Sequence, residues 1–358
     1  MIIINDLHLS VNRVTGTTPQ SREDLRTYTF EQFSSLLDNA DGHDLCILGD
    51  AFDSFEVPAR DWLETYMLLS AWCDANSRRR IFLVAGNHDV SMKGSKVSSF
   101  EALTTVLQQQ HRNLVVVGID KMELYRGDVY IVAHHRNQDL FDLALAKVLD
   151  ACDRNDFVLL HANYQNPFAE RADHSLNVSE EQALEFTKKG VTLVFAHEHI
   201  SRVEIPHATP ADGGSVVCLG NQIPTSVADC LGNDRKFYWE LKGGDLQKHE
   251  CWSDRGDNGY QAVDWRNLDP DCPAKFIRVV GDAINAEAAA VIDAIHRFRQ
   301  KSSAFVITNA VKIEGIAEIG DLPETFSAAA KFDVMDFVYR QLDEAEVEII
   351  RKIAEGLE

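Results

Sequence analysis

Along the first 200 residues the apolar positions gather into short unbroken runs: Ile2 to Ile4, Leu45 to Leu48, Ile81 to Val84, Phe157 to Leu160 and Val191 to Phe195. Runs of this length, bounded by polar and turn-forming residues, read as buried strands. Between them Leu25 to Asn39, Ala59 to Asn76 and Gln138 to Cys152 read as helices. The alternation predicts βαβ units and a sheet covered by helices. The stretch 201–255 changes character. There Ser215 to Leu219 and Lys236 to Leu241 read as strands, as Val129 to Val132 does earlier in the chain, and Gly243-Gly244-Asp245 reads as a hairpin turn into Leu246 to Trp252. Residues 1–255 are therefore expected to form one domain.

The polar run Ser253 to Gly259 opens a linker, placed over 256–274. Lys275 to Val280 and Ala304 to Ile313 read as strands on either side of an Ala-rich helix, Asn285 to Gln300, with Asn285 as its N-cap. They make a small β-α-β cap over 275–320. The tail 321–358 contains a helix from Phe332 to Leu357, where Phe337, Leu342, Ile349 and Ile353 fall near helical spacing.

The residues just past the strands matter more than the strands themselves. The runs lead into Asp6-Leu7-His8, Gly49-Asp50-Ala51-Phe52-Asp53, Gly86-Asn87-His88-Asp89, the lone His161 and His197-Glu198-His199. Polar residues repeated at strand ends build a core poorly, but they suit an enzyme whose site lies beyond those ends. Two cations about 3.5–4 Å apart need a bridging carboxylate and further ligands on each side. Asp6, His8, Asp50 and His199 suit one ion; Asp50, Asn87, His161 and His197 suit the other, with Asp50 as the bridge. Imidazole and oxygen donors without thiolate favour Mn, Fe or Zn over Ca. Two divalent ions are expected, Mn2+ first, with Fe, Zn or Mg as alternatives. The neutral amide of Asn87 limits the negative charge, so a phosphate oxygen or hydroxide can approach.

In this order, D-x-H, GD-x-x-D, GNHD, a lone His and H-x-H resemble the motifs of the calcineurin-type metallophosphoesterase superfamily. The resemblance implies an α/β fold, a metallophosphoesterase β-sandwich flanked by helices, here followed by the small cap domain and helical tail. It also implies phosphodiester hydrolysis by a hydroxide bridging the metals. His88 would contact the phosphate and assist the leaving oxygen, with Asp89 holding its ring in one orientation. Asp53 would support the site. Ala196 stands where the superfamily has Gly before H-x-H, a change expected to be tolerated.

Composition narrows the picture. There is no run of 18 apolar residues, so no membrane span is expected. The N-terminus has no signal-peptide pattern, and the seven scattered Cys include no C-x-x-C pair. A cytoplasmic, reducing compartment is expected. The net charge of −21 sits awkwardly with nucleic-acid binding. Local basic groups remain: Lys93 and Lys96 beside the GNHD loop, and Arg136 after His134-His135 at the end of Val129 to Val132. His135, Arg136, Lys93 and Lys96 are the candidate substrate contacts. His43, His111, His207, His249 and His296 lie in polar contexts and read as solvated.

The order of core, cap and tail is similar to the SbcD-type nuclease subunit of DNA double-strand-break repair complexes. Ile131 to Asn137 and Gly220 to Ser226 fall where that family has a site-proximal strand and a turn. This implies a nuclease acting on DNA with an SMC-like coiled-coil ATPase of the SbcC kind, with a homodimer as an open possibility and no membrane partner. A small-substrate phosphomonoesterase or cyclic-nucleotide phosphodiesterase would use the same metals and suit the acidic surface.

Overall fold

The run Ile2–Ile4 forms β1, which pairs in parallel with β2 (Leu45–Leu48), then β3 (Ile81–Val84) and β4 (Leu114–Val117). In this computed structural model the described residues are 1–12, 16–89, 96–166, 175–204, 213–231, 235–251 and 259–314. A second sheet is built from β5 (Met122–Tyr125), β6 (Val129–Val132) and β7 (Phe157–His161). A short ribbon of β8 (Asn163–Tyr164) and β9 (Asn177–Val178) follows, then β10 (Thr192–Ala196), β11 (Arg202–Glu204) and β12 (Val216–Cys218). The second sheet runs β11-β12-β10-β7-β6-β5. The hairpin β13 (Phe237–Lys242) and β14 (Asp245–Glu250) returns antiparallel to β1 and completes the first sheet, β14-β13-β1-β2-β3-β4.

Side-chain alternation explains how the sheets stack. Phe157 and Leu159 of β7, Val194 and Ala196 of β10, and Val129 and Ile131 of β6 share one core with Ile3, Leu48 and Val84 of the first sheet. Their neighbours Val158, Leu160, Leu193, Phe195 and Val132 face the other way. These pack with Phe141, Leu145 and Val148 of one helix and Ala183 and Phe186 of another. The sandwich is therefore covered outside by helices α1 (Pro19–Asn39), α2 (Ala59–Ala75), α3 (Ser99–Gln110), α4 (Gln138–Ala151) and α5 (Glu180–Lys188).

Helix α1 starts six residues before the expected Leu25 because Thr18 caps it. The Thr18 hydroxyl receives the Ser21 amide, the Ser21 hydroxyl receives the Thr18 amide, and Pro19 takes the first turn, where its missing N–H costs nothing. Ser98 with Glu101 and Ser179 with Gln182 box the starts of α3 and α5 in the same way.

The small module differs from its sequence reading. Tyr260–Asp264 forms strand β15 inside the stretch expected to be linker, pairing in parallel with β16 (Phe276–Val280). The expected strand over Ala304 to Ile313 is broken. The short β17 (Asp282–Ala283) precedes α6 (Ala288–Arg299), β18 (Val306–Asn309) pairs with β16, and β19 (Lys312–Ile313) pairs with β17. Asn285 is not the cap of α6 but opens a 3-10 turn, and Glu287 instead receives the Ile284 amide at 3.0 Å. One face of this sheet packs on α6 through Ile277, Val279 and Ile307. The other, through Phe276, Phe305 and Val306, packs on Val11, Leu25, Val227 and Cys230 of the larger domain. Residues 1–318 form one compact unit. The tail helix expected over Phe332 to Leu357 lies outside the described residues, as does Lys93.

Among the described residues no helix is long and apolar enough to cross a membrane. All seven cysteines are free thiols.

Candidate metal centre

Parallel pairing brings the carboxyl ends of β1, β2 and β3 to one edge, and the ends of β7 and β10 to the facing edge. Asp6 and His8 follow β1, Asp50 follows β2, Asn87 and His88 follow β3, and His197 and His199 follow β10. Alternation does the rest for His161, which continues the inward-facing positions Phe157 and Leu159. Its Nδ1 donates to the Leu48 carbonyl across the two sheets at 3.2 Å. That leaves Nε2 turned toward Asn87 Oδ1 at 2.9 Å and Asp50 Oδ2 at 3.3 Å.

Two overlapping groups of donors result. Asp6, His8 and His199 offer atoms within 4.8 Å of one another, as do Asp6, Asp50, His161 and His197. A third group joins His8, Asp50 and His88. Asp6 belongs to both of the first two groups, whereas Asp50, the bridge expected from the sequence, shares the second with His161 and His197 and meets His8 only in the third, so both carboxylates connect the two halves. Each has one oxygen engaged by the backbone: Asp6 Oδ2 receives the His197 amide at 2.8 Å, and Asp50 Oδ1 the His88 amide at 2.9 Å. Of the other oxygens, Asp50 Oδ2 is buried facing His161 Nε2 at 3.3 Å, and Asp6 Oδ1 is buried without a hydrogen bond. A buried carboxylate oxygen in that state is costly unless a cation meets it. The Nε2 atoms of His8 and His199 also point at each other across 3.1 Å. These donors fit a pair of divalent cations.

Two glycines make the convergence possible. A Cβ at Gly49 would lie 2.0 Å from His161 Nδ1, and one at Gly86 would lie 2.2 Å from Asp50 Oδ1. Ala196 ends β10 in register with His161 and lies outside the left-handed region, so its methyl is accommodated.

The electrostatics carry a testable consequence. Burial opposes a charge on His161, but Asp50 and then Asp6 outweigh it, and its pKa is pushed up to about 9. His199 is raised too, against burial, chiefly by Asp229. A ligating imidazole must be neutral. A group with a raised folded pKa is protonated below it, so loading metal near pH 7 displaces at least about one proton per chain. Calorimetric titration with Mn2+ in buffers of different ionisation enthalpy should show that release. Apparent affinity should rise with pH up to about 9. Identical heats in every buffer would contradict it.

Several supporting residues differ from expectation. His88 is oriented not by Asp89 but by the Asp53 backbone carbonyl, which accepts from Nδ1 at 2.7 Å. Asp89 is buried and receives the Gly86 amide at 3.0 Å and, at longer range, the Ala51 and Phe52 amides, tying the GNHD loop to the Asp50 loop. Burial beside Asp50 pushes its pKa up to about 7. The Asp53 side chain lies 3.5 Å from His8 Nδ1, a supporting place. Among the proposed substrate contacts, His135 is buried, donates from Nδ1 to the Ala133 carbonyl and packs on Phe141. Arg136 and Lys96 are exposed and paired with Asp120 and Glu56. His111 is buried rather than solvated, with Nε2 2.9 Å from the Ser70 hydroxyl.

A buried polar layer behind the ligands has no motif to announce it. Asn5 donates to Asp6 and to the Gly220 carbonyl, Gln222 bonds Asn5 twice, and Asp229 holds His199. Gln222 lies in the Gly220 to Ser226 stretch that resembles a family turn; for Asn5 and Asp229 the sequence signal is only a polar residue within an apolar or turn-forming stretch.

A comparison with curated proteins finds no match. The family model for calcineurin-like phosphoesterases matches residues 1–201, the part of the chain that supplies every donor above. The chain therefore belongs to the calcineurin-like phosphoesterases, and its buried cluster is the candidate centre of a metal-dependent phosphoester hydrolase.

Proposed function

We propose that the protein is a DNA nuclease that hydrolyses phosphodiester bonds at this centre. Asp6, His8, Asp50, Asn87, His161, His197 and His199 would hold two divalent cations, Mn2+ being the first candidate. When bound, the cations supply neutralisation of the phosphoryl charge and activation of the attacking water. His88 does the remaining proton work. Its Nδ1–H is committed to the Asp53 carbonyl, so Nε2 is the atom that passes a proton to the leaving oxygen. Burial works against a charged His88, but Asp50, the Asp53 carbonyl and the Asp53 and Asp89 charges outweigh it, raising its pKa and favouring the acid form.

The observation that supports a polymeric substrate is the small parallel sheet packed on the catalytic domain through Phe276, Phe305 and Val306. A hydrolase of free nucleotides has no need of such an addition. The acidic charge of −21 favours the second reading, a small-substrate phosphoesterase. With Mn2+, the full chain should degrade linear single- and double-stranded DNA far faster than it hydrolyses cyclic nucleotides or nucleoside monophosphates. The reverse order of rates would establish the second reading. The tail 321–358 is proposed to dock on a coiled-coil ATPase of the SMC kind. A chain ending before residue 330 should then keep cleavage of single-stranded DNA but no longer co-purify with that partner.

A further inference from the structure

We propose that Asp229 positions His199 for one of the two cations, and that the small β-α-β module holds Asp229 in place, so that docking of the module and metal occupancy are coupled. The proposal rests on the reading of the centre as a metal site and is independent of the substrate. Asp229 follows residue 201, beyond the part of the chain that the family model covers.

His199 Nδ1 donates to Asp229 Oδ1 at 2.6 Å, which turns Nε2 toward His8. The other oxygen of Asp229 is fully engaged: Oδ2 receives the Thr225 amide at 2.8 Å, the Ser226 amide at 2.9 Å and the Thr225 hydroxyl at 3.2 Å. The carboxylate is 3% exposed, so these bonds form away from water. One oxygen thus anchors the residue in its own turn and the other orients the ligand ring. A carboxylate behind a ligand imidazole fixes the ring and raises its basicity, and losing it lowers metal affinity by about 10–100-fold.

Asp229 sits in a single 3-10 turn, Ala228–Cys230. Val227 and Cys230 flank it and pack against Phe276, Phe305 and Val306, with Val11 and Leu25 completing the cluster. Phe276 and Val306 are register partners on adjacent parallel strands, so the sheet presses on the turn as a unit. The Gly16 carbonyl, which accepts the Ile307 amide at 2.8 Å, adds a second tie between module and domain. Any preference of the cation for the ordered turn must return as a preference of the docked module for the loaded centre.

The test uses the full chain and Co2+, titrated by calorimetry and by visible absorption, which reports each ion's ligand set. Asparagine has one oxygen and can perform only one of the two tasks of Asp229. Asp229→Asn should therefore weaken one of two Co2+ sites by about 10–100-fold, with the absorption of that site altered and the other site retained. Two sites of unchanged affinity would overturn the proposal. Should that variant fail to fold, Thr225→Val, which removes the hydroxyl bond to Oδ2, should weaken the same site by a few-fold, and no change there would also overturn it. Co2+ should slow amide exchange over 276–280 and 306–309 in the wild type and not in Asp229→Asn. Loss of affinity with no metal-dependent change of exchange in those strands would overturn the coupling. A wild-type chain that takes up no Co2+ would instead overturn the metal reading itself.

Discussion

Replacing Asp50 by Asn should abolish phosphoester hydrolysis and lower the metal content to one ion or none per chain. Asp50 is fully buried, and its carboxylate lies in a group with Asp6, His161 and His197 and in another with His8 and His88. Burial would raise its pKa, yet the surrounding imidazoles, His161 first, hold it well below the usual carboxylate range. The negative charge is thus fixed among the imidazoles that would hold the cations. Asparagine keeps the shape and can still accept the His88 amide, so the fold should survive, as circular dichroism would show. What it removes is one full negative charge in a low-dielectric centre. The loss of rate should be at least roughly 10³-fold, the upper scale for removing a single preorganised group. Elemental analysis finding two ions together with near-normal turnover would contradict the assignment.

His88→Gln should separate chemistry from metal binding. The variant is expected to keep both ions and to lose about 10²–10⁴-fold in phosphodiester cleavage, the scale of general acid–base assistance. The loss should shrink for a substrate with an activated leaving group, since such an oxygen departs without a proton. An equal loss on both substrates would remove leaving-group protonation from the role. The proximity of His88 to His8 and Asp50 makes metal content the deciding control, because a drop to one ion would make His88 a ligand.

The donors were legible in the sequence because each stands just past an apolar run, where parallel strands share an edge. His161 was legible for a second reason: strand alternation points it inward. The supporting roles were not. Asp89 adjoins His88 in the sequence while Asp53 lies 35 residues away, and nothing in residue type tells that the distant residue's backbone carbonyl, rather than the adjacent carboxylate, holds the ring. Asp229 reaches His199 across 30 residues of chain, through a turn whose position depends on packing against the small sheet. Strand β15 was hidden in a polar stretch because its side chains are only half buried or exposed. His135 looked like a site-rim residue from its place at a strand end, but whether such a ring turns outward or packs on Phe141 is decided by tertiary packing.

Four of the donors occupy backbone that L-residues avoid: Asp6 at φ 48°, His8 at 44°, Asp50 at 46° and His197 at 81°. Such conformations cost roughly 1–3 kcal/mol each, and the non-glycine residues that enter the left-handed region most readily are Asn, Asp and His. The turns beyond these strands therefore screen the amino acids that can stand there before any ion is considered. The same screen admits hard and borderline donors and disfavours longer or β-branched side chains. A lineage built on these turns can exchange one oxygen or imidazole donor for another at little conformational cost. The backbone, as much as the supply of metal, sets the range of elements that such a centre can come to use.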